Sequence, residues 1–161
     1  MTAAKHLALI LTCLLLTTPA PCDSAAYYGR WCIPSVGIDV ALYQSSDRQA
    51  AVDSEDSACI FTMRYGQRTY LIADHYMQAF GPLLDVLVGD TAYIETDAGE
   101  TTHMVCVEVL DGHNTGSGIT DASKVNVVGQ HDYLMYTCQG YWRNVRICQW
   151  DIVTEEAVEN E

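Results

Sequence analysis

Basic residues are scarce in this chain. Of 161 residues, 8 are Lys or Arg against 21 Asp or Glu, a formal net charge of −13 at pH 7. Phosphate backbones are held by clustered cations, so no nucleic-acid partner is expected, and an acidic surface disfavours docking on anionic lipid. Neutral or cationic peptides remain as partners. Long apolar runs are also missing. The N-terminal run covers residues 7–16, well short of the roughly 20 residues a membrane-crossing helix needs. With Lys5 before it and small residues after it, at Ala20 and at Ser24-Ala25-Ala26, it reads as a secretory signal peptide, residues 1–26. Cleavage is expected after Ala26, with Ala20 the alternative and an uncut membrane anchor the other outcome. Losing this segment removes Lys5 and Asp23 together, so the charge does not change. The expected location is secreted or cell surface.

Internal repeats and low-complexity linkers are absent as well, so one domain is expected over residues 27–154, followed by a solvated acidic tail, residues 155–161. Cysteine is not scarce. Once Cys13 and Cys22 leave with the signal, Cys32, Cys59, Cys106, Cys138 and Cys148 remain. An odd count in an exported chain suggests a free thiol or an intermolecular bond; two disulfides and one reactive thiol would fit. Cleavage after Ala20 would make the count even.

The texture is mainly β. Residues 31–33 and 40–43 are short apolar runs around the turn signal Pro34-Ser35-Val36-Gly37. Residues 47–56 suit a loop or short helix. Residues 58–62 and 68–73 read as strands split by a turn at Tyr65-Gly66-Gln67. Residues 77–86 carry apolar positions at helical spacing with Gly81-Pro82 inside, which predicts a short, interrupted helix. Residues 91–96 and 101–110 form a predicted hairpin across Asp97-Ala98-Gly99-Glu100. A long polar stretch, residues 111–132, is expected to bind something or to carry a helix over 120–127. Two last strands follow, 133–138 and 144–153. Short strands separated by turns favour a closed β-barrel.

Three residue types in this pattern can carry acyl transfer. Cys138 sits at a strand end, where a scaffold presents reactive groups to a cleft. Arg146 begins the next strand, and an antiparallel turn would return it near the thiol, where a permanent cation favours thiolate or a developing oxyanion. His75 lies upstream in Ile72-Ala73-Asp74-His75, and an imidazole can protonate a leaving amine. Taken singly, the cysteine reads as structural, the histidine as a satisfied, partly buried side chain, and the arginine as ion-paired. Arg143 competes for the cation's role, and only geometry separates the two.

The order His then Cys excludes the papain arrangement. It matches the L,D-transpeptidases in order, but not in the residues around the thiol. In Ile33-Pro34-Ser35-Val36-Gly37-Ile38-Asp39, Ala73-Asp74-His75 with Phe80 and Leu83, Val88-Gly89-Asp90-Thr91, Leu134-Met135-Tyr136-Thr137-Cys138 and Arg146-Ile147-Cys148, the chain resembles the sortases, cysteine transpeptidases of the bacterial surface. Each motif is weak alone; five in the family's order are fairly specific. Asp74 stands where the family often has Gly, and Met135-Tyr136 where it has Leu-Ser or Leu-Thr.

The resemblance implies a sortase-like closed β-barrel of about eight strands with one or two short helices. It implies Cys138 as nucleophile, His75 as general acid/base and Arg146 as the cation that steadies substrate and oxyanion, with no cofactor and no metal. The expected substrate is a peptide sorting signal of the Leu-Pro-x-Thr-Gly type on a surface protein. The thioacyl intermediate would be resolved by an amine acceptor, from a cell-wall precursor or a lysine. Residues 111–132 fall where the family places its recognition loop. The alternatives are a catalytically degenerate sortase-fold module that binds peptide or a partner protein, and a hydrolase in which water resolves the intermediate.

Overall fold

The computed structural model describes residues 25–45, 49, 52–53, 57–140 and 143–154. The expected signal peptide up to residue 24 and the acidic tail lie outside the described residues. Nine strands follow in order: β1 (Ala25–Ile33), β2 (Ile38–Ser45), β3 (Ser57–Tyr65), β4 (Gln67–Ala73), β5 (Thr91–Thr96), β6 (Thr101–Asn114), β7 (Ile119–Asp121), β8 (Tyr133–Cys138) and β9 (Asn144–Ile152). They join in the order β5-β1-β2-β3-β4-β8-β9-β6-β7, and β5 also pairs with β6. That extra pairing closes eight strands into a barrel and leaves β7 as a short flap on β6. Closure removes the free edges that an open sheet would expose. The pairings β2–β3 and β4–β8 are parallel; the others are antiparallel.

Strand alternation sorts the side chains into two clusters on opposite faces of the sheet. Ile72, Met135, Cys148 and Trp150 point inward, where they meet Trp31, Leu42, Ile60 and Ile94. Trp31 and Trp150 pack edge to face at 5.8 Å, and Tyr133 stacks on Tyr70 at 5.0 Å. Their sequence neighbours Leu71, Leu134 and Ile147 point outward into a second cluster with Val127 and Val128.

One expectation is corrected here and another is met. No helix forms over residues 120–127: β7, a turn and buried valines replace it. Asp121 accepts the backbone N–H groups of Lys124 (3.0 Å, at its carbonyl) and Val125 (2.8 Å, at its carboxylate). Lys124 sits in the left-handed region at φ 68°, which stops a helix, while Val127 and Val128 are buried against β4 and β9. The short, interrupted helix expected over 77–86 is present. Turns lead into a 3-10 helix, Gly81–Asp85, with Pro82 in its first turn. Phe80, Leu83 and Val86 are all buried; their spacing of three is the 3-10 period, and they plug the barrel interior.

The flap fits closely because of one glycine. A Cβ on Gly112 of β6 would lie 2.0 Å from the Thr120 carbonyl oxygen, so only glycine lets β7 approach. Thr69 of β4 anchors the far end of the same connection: its hydroxyl donates to the His131 carbonyl (2.9 Å) and accepts from the Gly129 N–H (2.8 Å). The long polar stretch is thus fastened over the outer face of β4, β8 and β9.

Candidate active site

The parallel pairing of β4 with β8 builds the site. Ala73 is in register with Tyr136. Two residues beyond each come His75 and Cys138, at the same rim of the barrel. Both keep the parity of their strands' outer face, His75 following Leu71 and Ala73, Cys138 following Leu134 and Tyr136. They border one cleft of about 270 Å³. Phe61, Met63, Leu71, Tyr136 and Ile119 give it apolar walls, and Asn114 adds an amide. Two further recesses meet at Cys138: one shared with His75, Tyr76 and Met77, the other with Thr115, Gly116 and Arg143. Cys138 is exposed, whereas Cys32, Cys59, Cys106 and Cys148 are buried. Among the described residues no two of these cysteines are joined, so the arrangement of two disulfides within this set is not formed.

Arg146 is placed differently. The β8–β9 register sets it opposite Thr137, with Cys138 opposite Val145. It therefore has the parity of the inner face, one step out of phase with the thiol. Its Nε lies 3.4 Å from Asp111 Oδ1, without hydrogen-bond geometry. Asp111 faces it across β6–β9 and also accepts a 2.8 Å bond from Gln139, the residue after the thiol. Arg146 lines none of the three recesses that meet at Cys138. Arg143 lines one of them and sits at φ 80°. A bulky residue held in the left-handed region is strained, and such strain concentrates at functional sites.

Two carboxylates flank His75. Its Nε2 lies 2.7 Å from Asp53 Oδ1, which also accepts from the Gln49 amide at 2.8 Å. The hydrogen bond from His75, then that from Gln49, hold the Asp53 carboxyl below the usual range. Asp74 is buried, and burial pushes its carboxyl up to about 6 against the opposing pull of the His75 and Ala79 backbone N–H groups. Among the described residues, no group of three or more His, Cys, Asp or Glu is arranged to hold a metal ion, and no helix is long and apolar enough to cross a membrane.

Sequence reasoning missed Asp53 and Asp111. Both reach the site through tertiary contact, Asp53 from the 47–56 stretch and Asp111 through the β6–β9 register, and neither carries a local signal. The depth of Asp74 is legible only in part, as a carboxylate directly after an apolar strand.

No family model and no curated protein matches the sequence. Solved structures do match. The sortase D5 transpeptidase of Clostridium perfringens is similar over 80% of this chain and 79% of its own, at 16% identity and a TM-score of 0.59. A lid mutant of sortase A from Corynebacterium diphtheriae is similar over 81% and 72%, at 16% identity and a TM-score of 0.61. Sortase C of C. perfringens, solved with the C-terminal cell wall sorting motif, is similar over 81% and 72%, at 12% identity and a TM-score of 0.58. Identities this low speak for architecture, and several sortase subfamilies agree on it over most of the chain. The closed mixed barrel, with its few short helical turns, is the sortase fold.

Proposed function

We propose that this chain is a cysteine transpeptidase of the sortase type, acting at or outside the cell surface. The observation that carries the reading is the β4–β8 register, which brings His75 and the exposed Cys138 to the rim of one cleft. Cys138 attacks a backbone carbonyl of an extended peptide lying along the apolar outer face of β3, β4 and β8. His75 accepts the thiol proton and returns it to the leaving amine. With Nε2 turned to Asp53, Nδ1 is the ring nitrogen left for that exchange. An acceptor amine then attacks the thioester and regenerates the thiol; water in its place gives hydrolysis.

A cation would steady the oxyanion. Arg146 is the residue the sortase resemblance points to, and it serves if substrate displaces Asp111. Arg143 already shares a recess with Cys138 and is the second candidate. The substrate class, a sorting signal of the Leu-Pro-x-Thr-Gly type, comes from the resemblance; sortase C of C. perfringens, solved with a C-terminal cell wall sorting motif, supports a sorting-signal peptide in general.

Another reading has its own support: Arg146 and His75 Nε2 both face carboxylates, Asp111 and Asp53. A cation engaged by Asp111 rather than by the thiol favours a sortase-fold module that binds peptide without turnover. Intact mass spectrometry separates the two. Wild-type protein given a sorting-signal peptide should gain the mass of a thioacyl adduct, discharged by added triglycine as the transpeptidation product. Cys138→Ala should give neither. A Cys138→Ala protein that still cleaved the peptide would end the mechanism; a wild type that bound peptide without any adduct would favour the binding module.

A further inference from the structure

Asp74 takes no part in the chemistry above, yet it is 3% exposed and lines the same cleft as His75 and Cys138. Its Oδ1 accepts the backbone N–H of His75 at 2.7 Å, and its Oδ2 accepts that of Ala79 at 2.9 Å. These bonds close residues 74–79 into a turn around the carboxylate. Its own carbonyl accepts the hydroxyl of Thr137 at 3.0 Å. Thr137 is buried and directly precedes Cys138. One residue therefore fastens both the turn that carries the imidazole and the strand that carries the thiol.

An ionised carboxylate is an expensive choice at such a place. Burial disfavours the charge and places the carboxyl near 6. Serine caps one N–H at far lower cost. Asparagine offers a single acceptor oxygen, and its amide would oppose the second N–H donor. Only a carboxylate accepts from both.

We propose that Asp74 is a positioning residue of this site: its carboxylate holds the 74–79 turn that carries His75, and its backbone carbonyl ties that turn to the Cys138 strand through Thr137, so that imidazole and thiol meet only while both ties are made. The inference rests on the reading of Cys138 and His75 as a proton-exchanging pair. The groups around it are His75 from its own turn, Cys138 of β8, which borders the same cleft, the Thr137 hydroxyl on its carbonyl, and Asp53, which holds the His75 ring. Asp53 holds the ring and Asp74 holds the backbone beneath it. Protonating Asp74 puts a hydrogen on an oxygen that faces an N–H donor, so that bond is lost and the turn loosens.

The test uses the full chain and iodoacetamide, with the Cys138 peptide followed by mass spectrometry from pH 5 to 9. His75→Ala and Asp74→Asn should each slow alkylation at pH 7 by about 100-fold, the lower end of what a positioned base contributes. The double variant should be no slower than the slower single, since both remove one function. The wild-type rate should fall with a step near the Asp74 midpoint of about 6, absent in Asp74→Asn. The Ala79 amide resonance should titrate with the same midpoint in wild type alone. Asp74→Asn reacting like wild type while His75→Ala is slow overturns the inference and spares the thiol–imidazole reading. His75→Ala reacting like wild type overturns that reading, and the inference with it. Should Asp74→Asn fail to fold, Thr137→Val removes only the tie to the Asp74 carbonyl. Slowing then supports the inference, and an unchanged rate overturns it.

Discussion

The two faces of β8 are built for different tasks. On the inner face, Tyr133, Met135 and Thr137 are all buried; the first two join the interior cluster. On the outer face, exposure grows along the strand, from buried Leu134 through half-buried Tyr136 to exposed Cys138. Period-two alternation lets one six-residue strand specify the barrel on one side and open a cleft on the other. Packing constraints and chemical constraints therefore fall on alternate residues. The same division explains why Arg146, one step out of phase, is drawn to Asp111 rather than to the thiol.

The strongest test of that division sets a large side chain on each face against the other. Trp150 is fully buried and packs edge to face on Trp31. Trp150→Ala should cost about 3–5 kcal/mol of unfolding free energy, through lost burial and the cavity left behind. Tyr136→Ala, on the cleft wall, should cost well under half of that while weakening peptide capture. Urea denaturation measures the first effect, and the peptide dependence of adduct formation measures the second. Equal stability losses would show that the outer face is core after all.

The barrel was readable because its signal is local and repeated. Residues 133–138 alternate and stop at Cys138, and the hairpin at 97–100 has turn residues between two β-branched runs. Helix over 120–127 was misread because Thr120-Asp121 looks like a helix cap, while the burial of Val127 and Val128 that decides the matter is tertiary. His75 and Cys138 come to the rim of one cleft through a parallel pairing that no local pattern announces; only their place in an ordered set of motifs pointed to a shared site. Asp53 and Asp111 had no signal, since their partners lie 22 and 35 residues away in sequence.

The carboxylates around His75 carry opposite pH signatures, which sharpens the contrast between buried and exposed parts of the site. Asp74 binds its proton more tightly folded than unfolded, with a midpoint moved from 3.8 to about 6. Its contribution to stability is complete below pH 3.8 and is lost as pH rises through about 6, a change of about 3 kcal/mol at most. Asp53 is held low by His75 and Gln49, so its contribution is present above its unfolded midpoint and is lost as pH falls through the folded one. Exposure and screening keep that effect small. The difference in unfolding free energy between wild type and Asp74→Asn should therefore drift against wild type from pH 4 to pH 7 and then level off. A flat difference would mean that the Asp74 carboxylate is not penalised by burial.

The smallest stability effect belongs to the two arginines, and it decides which of them serves the thiol. The Arg146–Asp111 pair is 3.4 Å long, and Asp111 is 62% exposed; such pairs contribute about 0–1 kcal/mol. Arg146→Ala should leave the denaturation midpoint almost unchanged. A lost oxyanion donor, by contrast, slows acyl transfer by about 10²–10³. If Arg146 swings from Asp111 to the substrate, Arg146→Ala should slow adduct formation by that amount, and Asp111→Asn should speed it by freeing the guanidinium. If Arg143 is the working cation, its strained φ of 80° is spent on aiming at the recess it shares with Cys138. Arg143→Ala should then carry the rate loss and Asp111→Asn should change nothing. Adduct formation in these three variants at fixed peptide concentration separates the two. If Arg146 carries the loss, the inner-face parity of β9 supplies a catalytic group and the division of faces holds for β8 alone. If Arg143 does, chemistry stays on the outer side of the sheet throughout.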